Sequence, residues 1–351
     1  MLAIQETQRS AEMIVRLAQL ALAARDVPGA VTPMLSCLVD ETAAVGSAYF
    51  EAGGSHFHAR AGTGIMPEGP VMEAVLAHGL PSETPLIQAL LDVNRPLFFD
   101  NTSSDPRAAG FPDLGVPSLA AAPVRDVHGQ LLGAFLMHTL DPHAWADREA
   151  DLFAAVCGTM AALTARLIAE ERAVAAQEGA IRALGLALDY RDGETKGHTD
   201  RVTRLAVRIG ERMLVGDETM TALRWGAYLH DIGKIGIPDA ILHKPAKLNE
   251  REWELMRAHP MMGHDFAARL EFLPTAALDL VRYHHERWDG KGYPEGRAGQ
   301  LIPLTARIFG VCDVYDALIS ERPYKQAWTH KAAIEEIVAQ CGKQFDPEGV
   351  R

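Results

Sequence analysis

The sequence predicts two domains joined by a long helix: first an α+β domain, an antiparallel sheet flanked by helices, then an all-α domain. Three observations carry that prediction. A chain of 351 residues exceeds what one hydrophobic core normally organises. Short apolar runs separated by glycine-marked turns occupy the first half, the pattern of hairpins. After Asp189 the apolar spacing is helical, with short Gly/Pro breaks.

The elements follow in order. Residues Ala11 to Ala24 carry apolar spacing of helical period. Ser47–Phe50 and His56–Ala59 read as strands about Gly53-Gly54, and short helices are expected near Val71–Ala77 and Pro85–Val93. Pro96–Phe99 reads as a strand and Asn101–Pro112 as a polar loop. Ser118–Val124 and Leu131–His138 read as a hairpin about Asp126–Gln130. A long helix begins at Trp145. From Asp147 to about Asp189 the chain is rich in Ala, Leu, Glu and Arg and lacks proline, which favours helix. Its apolar stripe (Leu163, Leu167, Ile168, Val174, Ile181, Leu184, Leu188) is discontinuous. This helix either packs on its own domain or pairs two chains as a coiled coil; a homodimer through it is expected. The expected boundaries are 1–165 for the first domain, 166–188 for the connecting helix and 189–351 for the second domain.

Hydrophobic residues make up 48% and charged residues 23%, a globular composition. The net charge of −12 argues against general binding to nucleic acid polymers or acidic membranes. A small anionic ligand stays open, because bound metal ions dominate local charge. Cys37, Cys157, Cys312 and Cys341 form no CxxC pair and are expected as reduced thiols of a cytoplasmic protein. No apolar run reads as long enough to span a bilayer, and Met1–Glu6 is too quickly polar for a signal peptide.

The chemistry concentrates in His198, His230, Asp231, His259, His284, His285 and Asp313. Imidazole and carboxylate bind first-row transition metals, so this set suggests a multinuclear metal centre. Such a centre suits hydrolysis of a phosphate ester, since paired metals activate water and clamp both reacting oxygens. On a helix, His230 and Asp231 would point about 100° apart. They can share a site only across a common edge or near a helix end. The apolar Ala227-Tyr228-Leu229 marks that helix as buried, where an unpaired His-Asp is costly and a metal removes the cost. Glu194 and His198, four apart, would share a helix face, with Val202, Leu205, Ala206 and Ile209 as the apolar stripe beyond. His56 and His58 lie on one strand face and read as solvated, as do His78, His128, His138 and His143. His243, His264 and His330 read as surface or packing residues.

The His-Asp pair, His259-Pro260, His284-His285-Glu286, Gly290-x-Gly292-Tyr293-Pro294 and Asp313–Leu318 together resemble the HD-GYP domain, from about Leu186 to the last residue. That family is an all-α subgroup of the HD phosphohydrolases, and the resemblance implies hydrolysis of cyclic di-GMP to pGpG or GMP. It implies that His198, His230, Asp231 and Asp313 hold one metal. Asp231 would bridge to a second metal held by His259, His284 and His285. Glu194 matches a glutamate that accompanies a third metal in some members. Two or three divalent ions are therefore expected, with iron favoured over manganese for this His-rich set. Lys234, a turn after His230, would bring a cation to the phosphate and completes a catalytic set with His230 and Asp231. Arg322 and Lys325 match a segment that grips the phosphates, for which the arginine fork is suited; the alternative is a solvated loop. Gly292-Tyr293-Pro294 would shape the pocket mouth and offer a contact for diguanylate cyclase domains. Trp288 and Tyr293 either stack on guanine or pack the loop. The pattern departs at Phe345–Arg351, where members usually continue into a final helix; little effect on the chemistry is expected.

The first half, roughly residues 6 to 165, resembles a GAF domain. The resemblance rests on Pro96–Asn101, the hairpin Ala121–Met137 and the helix start Asp147–Phe153, and no residue selects its ligand. The combined expectation is a sensor-regulated cyclic di-GMP phosphodiesterase. The rivals are a phosphohydrolase of another cyclic dinucleotide and a non-catalytic adaptor. The adaptor reading predicts missing ligands, and none is missing.

Overall fold

A computed structural model describes residues 15–19, 22–193, 197–321 and 326–351. The chain divides into two compact units, Met1–Val174 and Ala175–Arg351. Of the expected Ala11–Ala24 helix, the described residues 15–19, 22 and 23 are helical, and the rest lies outside the described residues.

The first unit is built on a six-stranded antiparallel sheet of order β3-β2-β1-β6-β5-β4. The strands are β1 (Gly46–Gly53), β2 (His56–Gly64), β3 (Leu80–Pro81), β4 (Leu97–Phe99), β5 (Ser118–Arg125) and β6 (Leu131–Thr139). Gly54 turns the first hairpin with a φ of 65°, a conformation glycine adopts without strain. Strand β6 is buried along its whole length, as a central strand covered on both faces must be. His138 on it is therefore buried, not solvated as expected, and its ring nitrogen meets the Ile65 carbonyl at 3.1 Å. One face of the sheet carries Tyr49 and Phe135 against Val31, Leu35 and Phe153; the other carries Phe50 and Leu136 among Leu86, Phe99 and Phe111.

Helix α1 (Val27–Glu41) was not expected, because Pro28, Gly29 and Pro33 break the helical pattern. Asp26 caps it through the Gly29 N–H, and Val27, Ala30, Val31, Met34, Leu35 and Leu38 recur at helical spacing and are buried. The short helices α2 (Pro70–His78) and α3 (Pro85–Leu91) stand where they were expected. The loop after β4 carries three 3-10 turns, Thr102–Ser104, Pro106–Ala108 and Pro112–Leu114.

Helix α4 runs from Asp147 to Asp192. It contains an 18-residue stretch of mean hydropathy 1.8, long and apolar enough to cross a membrane by length and composition. That corrects the expectation that no run reaches such a length. Alanines contribute much of this hydropathy, and the large side chains Phe153, Val156, Met160, Leu167 and Ile168 are buried in the first unit's core.

In the second unit, α5 (His198–Arg212), α6 (Asp217–Leu229), α10 (Thr275–Tyr283) and α11 (Leu304–Ile319) meet around Val202, Ala206, Leu223, Ala227, Leu280 and Phe309. Gly226 lets α6 and α10 touch: a Cβ there would lie 2.9 Å from the Ala277 carbonyl oxygen. A 3-10 turn (Ile232–Gly236), α7 (Asp239–Leu242), α8 (Glu250–Arg257) and α9 (His259–Ala267) fill the stretch between α6 and α10. Helix α8 starts in a capping box between Asn249 and Glu252. Helices α12 (His330–Ala339) and α13 (Pro347–Val350) close the chain.

Candidate metal centre

Six of the seven histidine and aspartate candidates sit at or just beyond helix ends, where the backbone is free to turn. His198 is the first residue of α5 and His259 the first of α9. His230 caps the C-terminus of α6 and His284 that of α10, with Asp231 and His285 directly after them. Asp313 alone projects from mid-helix, on α11. The His-Asp pair thus takes the helix-end solution: α6 stops at Leu229, and Asp231 opens the 3-10 turn.

These side chains converge in two clusters, Asp231–His259–His284–His285 and His198–His230–Asp313, with ligand atoms in each within 4.8 Å of one another. Asp231 spans them. Its Oδ1 lies 3.2 Å from His259 Nε2 and 3.8 Å from His284 Nε2, while its Oδ2 lies 3.2 Å from His230 Nε2. In the second cluster His198 Nε2 is 3.6 Å from Asp313 Oδ1. Gly233 permits this closeness, since a Cβ there would fall 1.9 Å from the His259 carbonyl oxygen.

The donor set fits metal ions. His230, His259 and His284 each place Nδ1 on a carbonyl oxygen, of Ala227, Met256 and Val281, at 2.7–2.9 Å. Carbonyls only accept, so each Nδ1 carries a proton, and in the neutral ring each Nε2 presents a lone pair. Two of those lone pairs face each other, His259 Nε2 and His284 Nε2 at 3.3 Å. His230 Nε2 is buried without a hydrogen bond and faces a carboxylate. Facing acceptors in a buried site call for a cation between them.

Charge supports the same reading. Burial, then the neighbouring imidazoles, holds His284 well below the usual histidine range, and burial brings His285 down to about 4. Both imidazoles are neutral at physiological pH, the form a metal ligand requires. Burial opposes ionisation of Asp231, but Lys234 and His230 override it and hold the carboxyl well below the usual carboxylate range. Burial likewise depresses His230, and the Asp231 and Asp313 carboxylates outweigh it, raising the imidazole to about 9. A metal there competes with a proton for Nε2.

A cavity of about 240 Å³ opens beside the clusters, lined by His284, His285 and Asp313 and by Arg257, Trp288 and Tyr293. Tyr293 packs its ring 4.7 Å from that of His285 while lining the cavity. Its loop is pinned by Glu286 Oε1, which accepts from the N–H groups of Glu295 and Gly296 at 2.8 and 3.0 Å. Gly292 lies against Glu286, where a Cβ would be 2.5 Å from Cα. The Arg257 guanidinium lies 5.7 Å from the centres of both the Tyr293 and Trp253 rings. Lys234 Nζ sits 2.6 Å from Asp231 Oδ2 and 2.7 Å from Asp192 Oδ2.

Glu194, Arg322 and Lys325 lie outside the described residues. Sequence reasoning missed Asp316, Arg201, Asp192 and Arg257. Asp316 accepts from His198 Nδ1 at 2.8 Å and is held by Arg201 Nε at 2.7 Å. Burial opposes its ionisation, and the bonds from His198 and Arg201 bring its carboxyl down to about 2. The available signal was its place three residues after Asp313, on the same helix face.

Residues 184–349 match the family model described as HD domain. The chain is 43% identical over 191 residues to the cyclic di-GMP phosphodiesterase response regulator RpfG of Xanthomonas campestris, across 54% of this chain and 50% of that protein. It is 38% identical over 166 residues to the 3'3'-cGAMP-specific phosphodiesterase 2 of Vibrio cholerae, across 47% of this chain and 32% of that protein. The chain thus spans half or less of the length of both relatives. Among solved structures, the GAF domain of a phosphoenolpyruvate-protein phosphotransferase from Coxiella burnetii covers 48% of this chain and 96% of that domain, at 18% identity and a TM-score of 0.39.

Proposed function

We propose, from the match of residues 184–349 to the HD domain model, that this chain is a metal-dependent phosphodiesterase that hydrolyses cyclic di-GMP to pGpG or GMP. One observation carries the reading: the Asp231 carboxylate turns one oxygen to each of two histidine clusters, the arrangement a bridging ligand requires. His198, His230, Asp231 and Asp313 would hold one ion, and His259, His284 and His285, with Asp231, a second. Glu194 is proposed for a third, with iron favoured over manganese. When bound, the metals would activate water and neutralise charge on the phosphoryl oxygens.

The chain's own residues do the rest. The neutral His284 and His285 imidazoles leave their lone pairs for ligation instead of protonation. Lys234 is proposed as the catalytic cation beside Asp231, close enough to the bridging carboxylate to reach a phosphate held there. Tyr293 and Arg257 form a cavity wall next to His285, suited to a base or a sugar-phosphate. Arg322 and Lys325 are proposed to grip the phosphates.

We propose the division 1–165, 166–188 and 189–351, with the first part a GAF-like regulatory domain; its six-stranded antiparallel sheet between helices supports that reading. A cytoplasmic location, a homodimer through α4 and a contact of the Gly292–Pro294 loop with diguanylate cyclase domains belong to the same proposal. A 3'3'-cGAMP substrate is the second reading, favoured by the Vibrio cholerae relative.

The test is anaerobic purification, elemental analysis and chromatography of both cyclic dinucleotides after incubation. Two or three iron or manganese ions per chain, with pGpG or GMP appearing, are expected. Faster loss of 3'3'-cGAMP would move the substrate to the second reading. Absence of both metal and turnover would leave the adaptor. Glu194→Ala is expected to lower the metal count and slow the second cleavage to GMP; unchanged GMP formation would remove the third metal from Glu194.

A further inference from the structure

Helix α4 ends on the turn that carries the bridging carboxylate. Its final residue, Asp192, is buried, with a side chain only 5% exposed. Asp192 Oδ2 accepts from Lys234 Nζ at 2.7 Å, while Oδ1 is buried without a hydrogen-bond partner among the described residues. The same ammonium lies 2.6 Å from Asp231 Oδ2. Next to Asp192, Arg191 donates to the carbonyl oxygens of Lys234 and Ile237, each at 2.9 Å, and to Asp239 Oδ1 at 3.0 Å. The helix end therefore grips both the side chain and the backbone of the Ile232–Gly236 turn.

An ammonium this close to Asp231 would repel any dication bound there. The Asp192 carboxylate, 2.7 Å from the same ammonium, offsets that repulsion. We propose that Asp192 is a positioning residue for the metal centre. It holds Lys234 against Asp231 and balances its charge, so the end of α4 sets both the place and the field of the shared ligand.

The inference rests on the metal reading but not on the substrate. Its test is calorimetric titration of Mn2+ into the metal-stripped full chain, beside turnover of bis(p-nitrophenyl) phosphate by the loaded protein. Asp192→Asn removes one of the carboxylates that balance the Lys234 ammonium and is expected to weaken Mn2+ binding about tenfold. Adding Lys234→Met to it removes the stray charge and is expected to recover most of that affinity, while turnover stays low for want of the cation. Damage to the fold alone would not be repaired by a second substitution. Unchanged Mn2+ affinity in Asp192→Asn would overturn the proposal, as would a double variant that binds no better than the single one. If the unsubstituted chain bound no Mn2+, the metal reading itself would fall, and this inference with it.

Discussion

The two candidate ligand clusters orient their imidazoles by different means. In the cluster of Asp231, His259, His284 and His285, two rings are set by backbone carbonyls three residues earlier in the chain. No single side-chain substitution removes those anchors. In the cluster of His198, His230 and Asp313, His230 uses the same device, but His198 depends on Asp316, which depends in turn on Arg201. One cluster is oriented by helix geometry, the other partly by a side-chain network. Asp231 joins them, so a change there should be felt in both, while a change beside His198 should be felt in one.

The largest expected effect breaks both clusters together. Replacing His230 and Asp231 with alanine removes a ligand from each and leaves the remaining imidazoles without their shared carboxylate. Metal content should fall to background and turnover with it, while circular dichroism stays helical. Retained turnover in this variant would sink the metal mechanism. Next comes Gly233→Ala, which targets the approach between them. The new methyl would meet the His259 carbonyl and the Gly263 nitrogen, 1.9 and 2.5 Å away, both backbone atoms. The turn must then retreat from α9 and carry Asp231 with it. We expect a loss of about 1–3 kcal/mol in stability and weaker binding at the His259 side. Thermal melts and metal stoichiometry would show it.

Asp316→Asn tests the asymmetry directly. The amide keeps the shape but loses the charge that meets His198 Nδ1 and Arg201. Outer-shell changes of this kind cost about 10–100-fold in metal affinity. Here the cost should fall on one ion of the set, so a titration should resolve one weakened site beside unchanged ones. Uniform weakening of every site would show that the clusters are not independently oriented.

These partners explain what could be read from the chain and what could not. His198, His230, Asp231, His259, His284, His285 and Asp313 announced themselves because metal-ligating types are rare at such spacings, and the structure draws them together. Asp316 and Asp192 are ordinary aspartates until one knows what they face; His198 is 118 residues away from Asp316. The strands of the first unit were visible through their glycine turns. Helix α1 was hidden by its prolines, and His138 was misplaced because alternation along β6 cannot reveal a face when both are buried. The long apolar stretch in α4 was overlooked because much of its hydropathy comes from alanine, not from large side chains.

The smallest effect is expected at Arg257, on the cavity wall beside the first cluster. Among the described residues its guanidinium pairs with no carboxylate and rests over Tyr293 and Trp253 instead. A cation over an exposed ring gains only about 0.5–1 kcal/mol, so this arginine is cheaply released to an anionic ligand. It is separated from the candidate metal ligands by the Tyr293 ring, which packs on His285. Arg257 should therefore contribute to holding substrate, not to the reacting phosphate. Arg257→Ala should raise KM for the cyclic dinucleotide by about fivefold and leave kcat and metal content near their starting values. If kcat falls while KM holds, the guanidinium reaches the phosphoryl group itself. The wall beside the first cluster would then share in the chemistry instead of only binding.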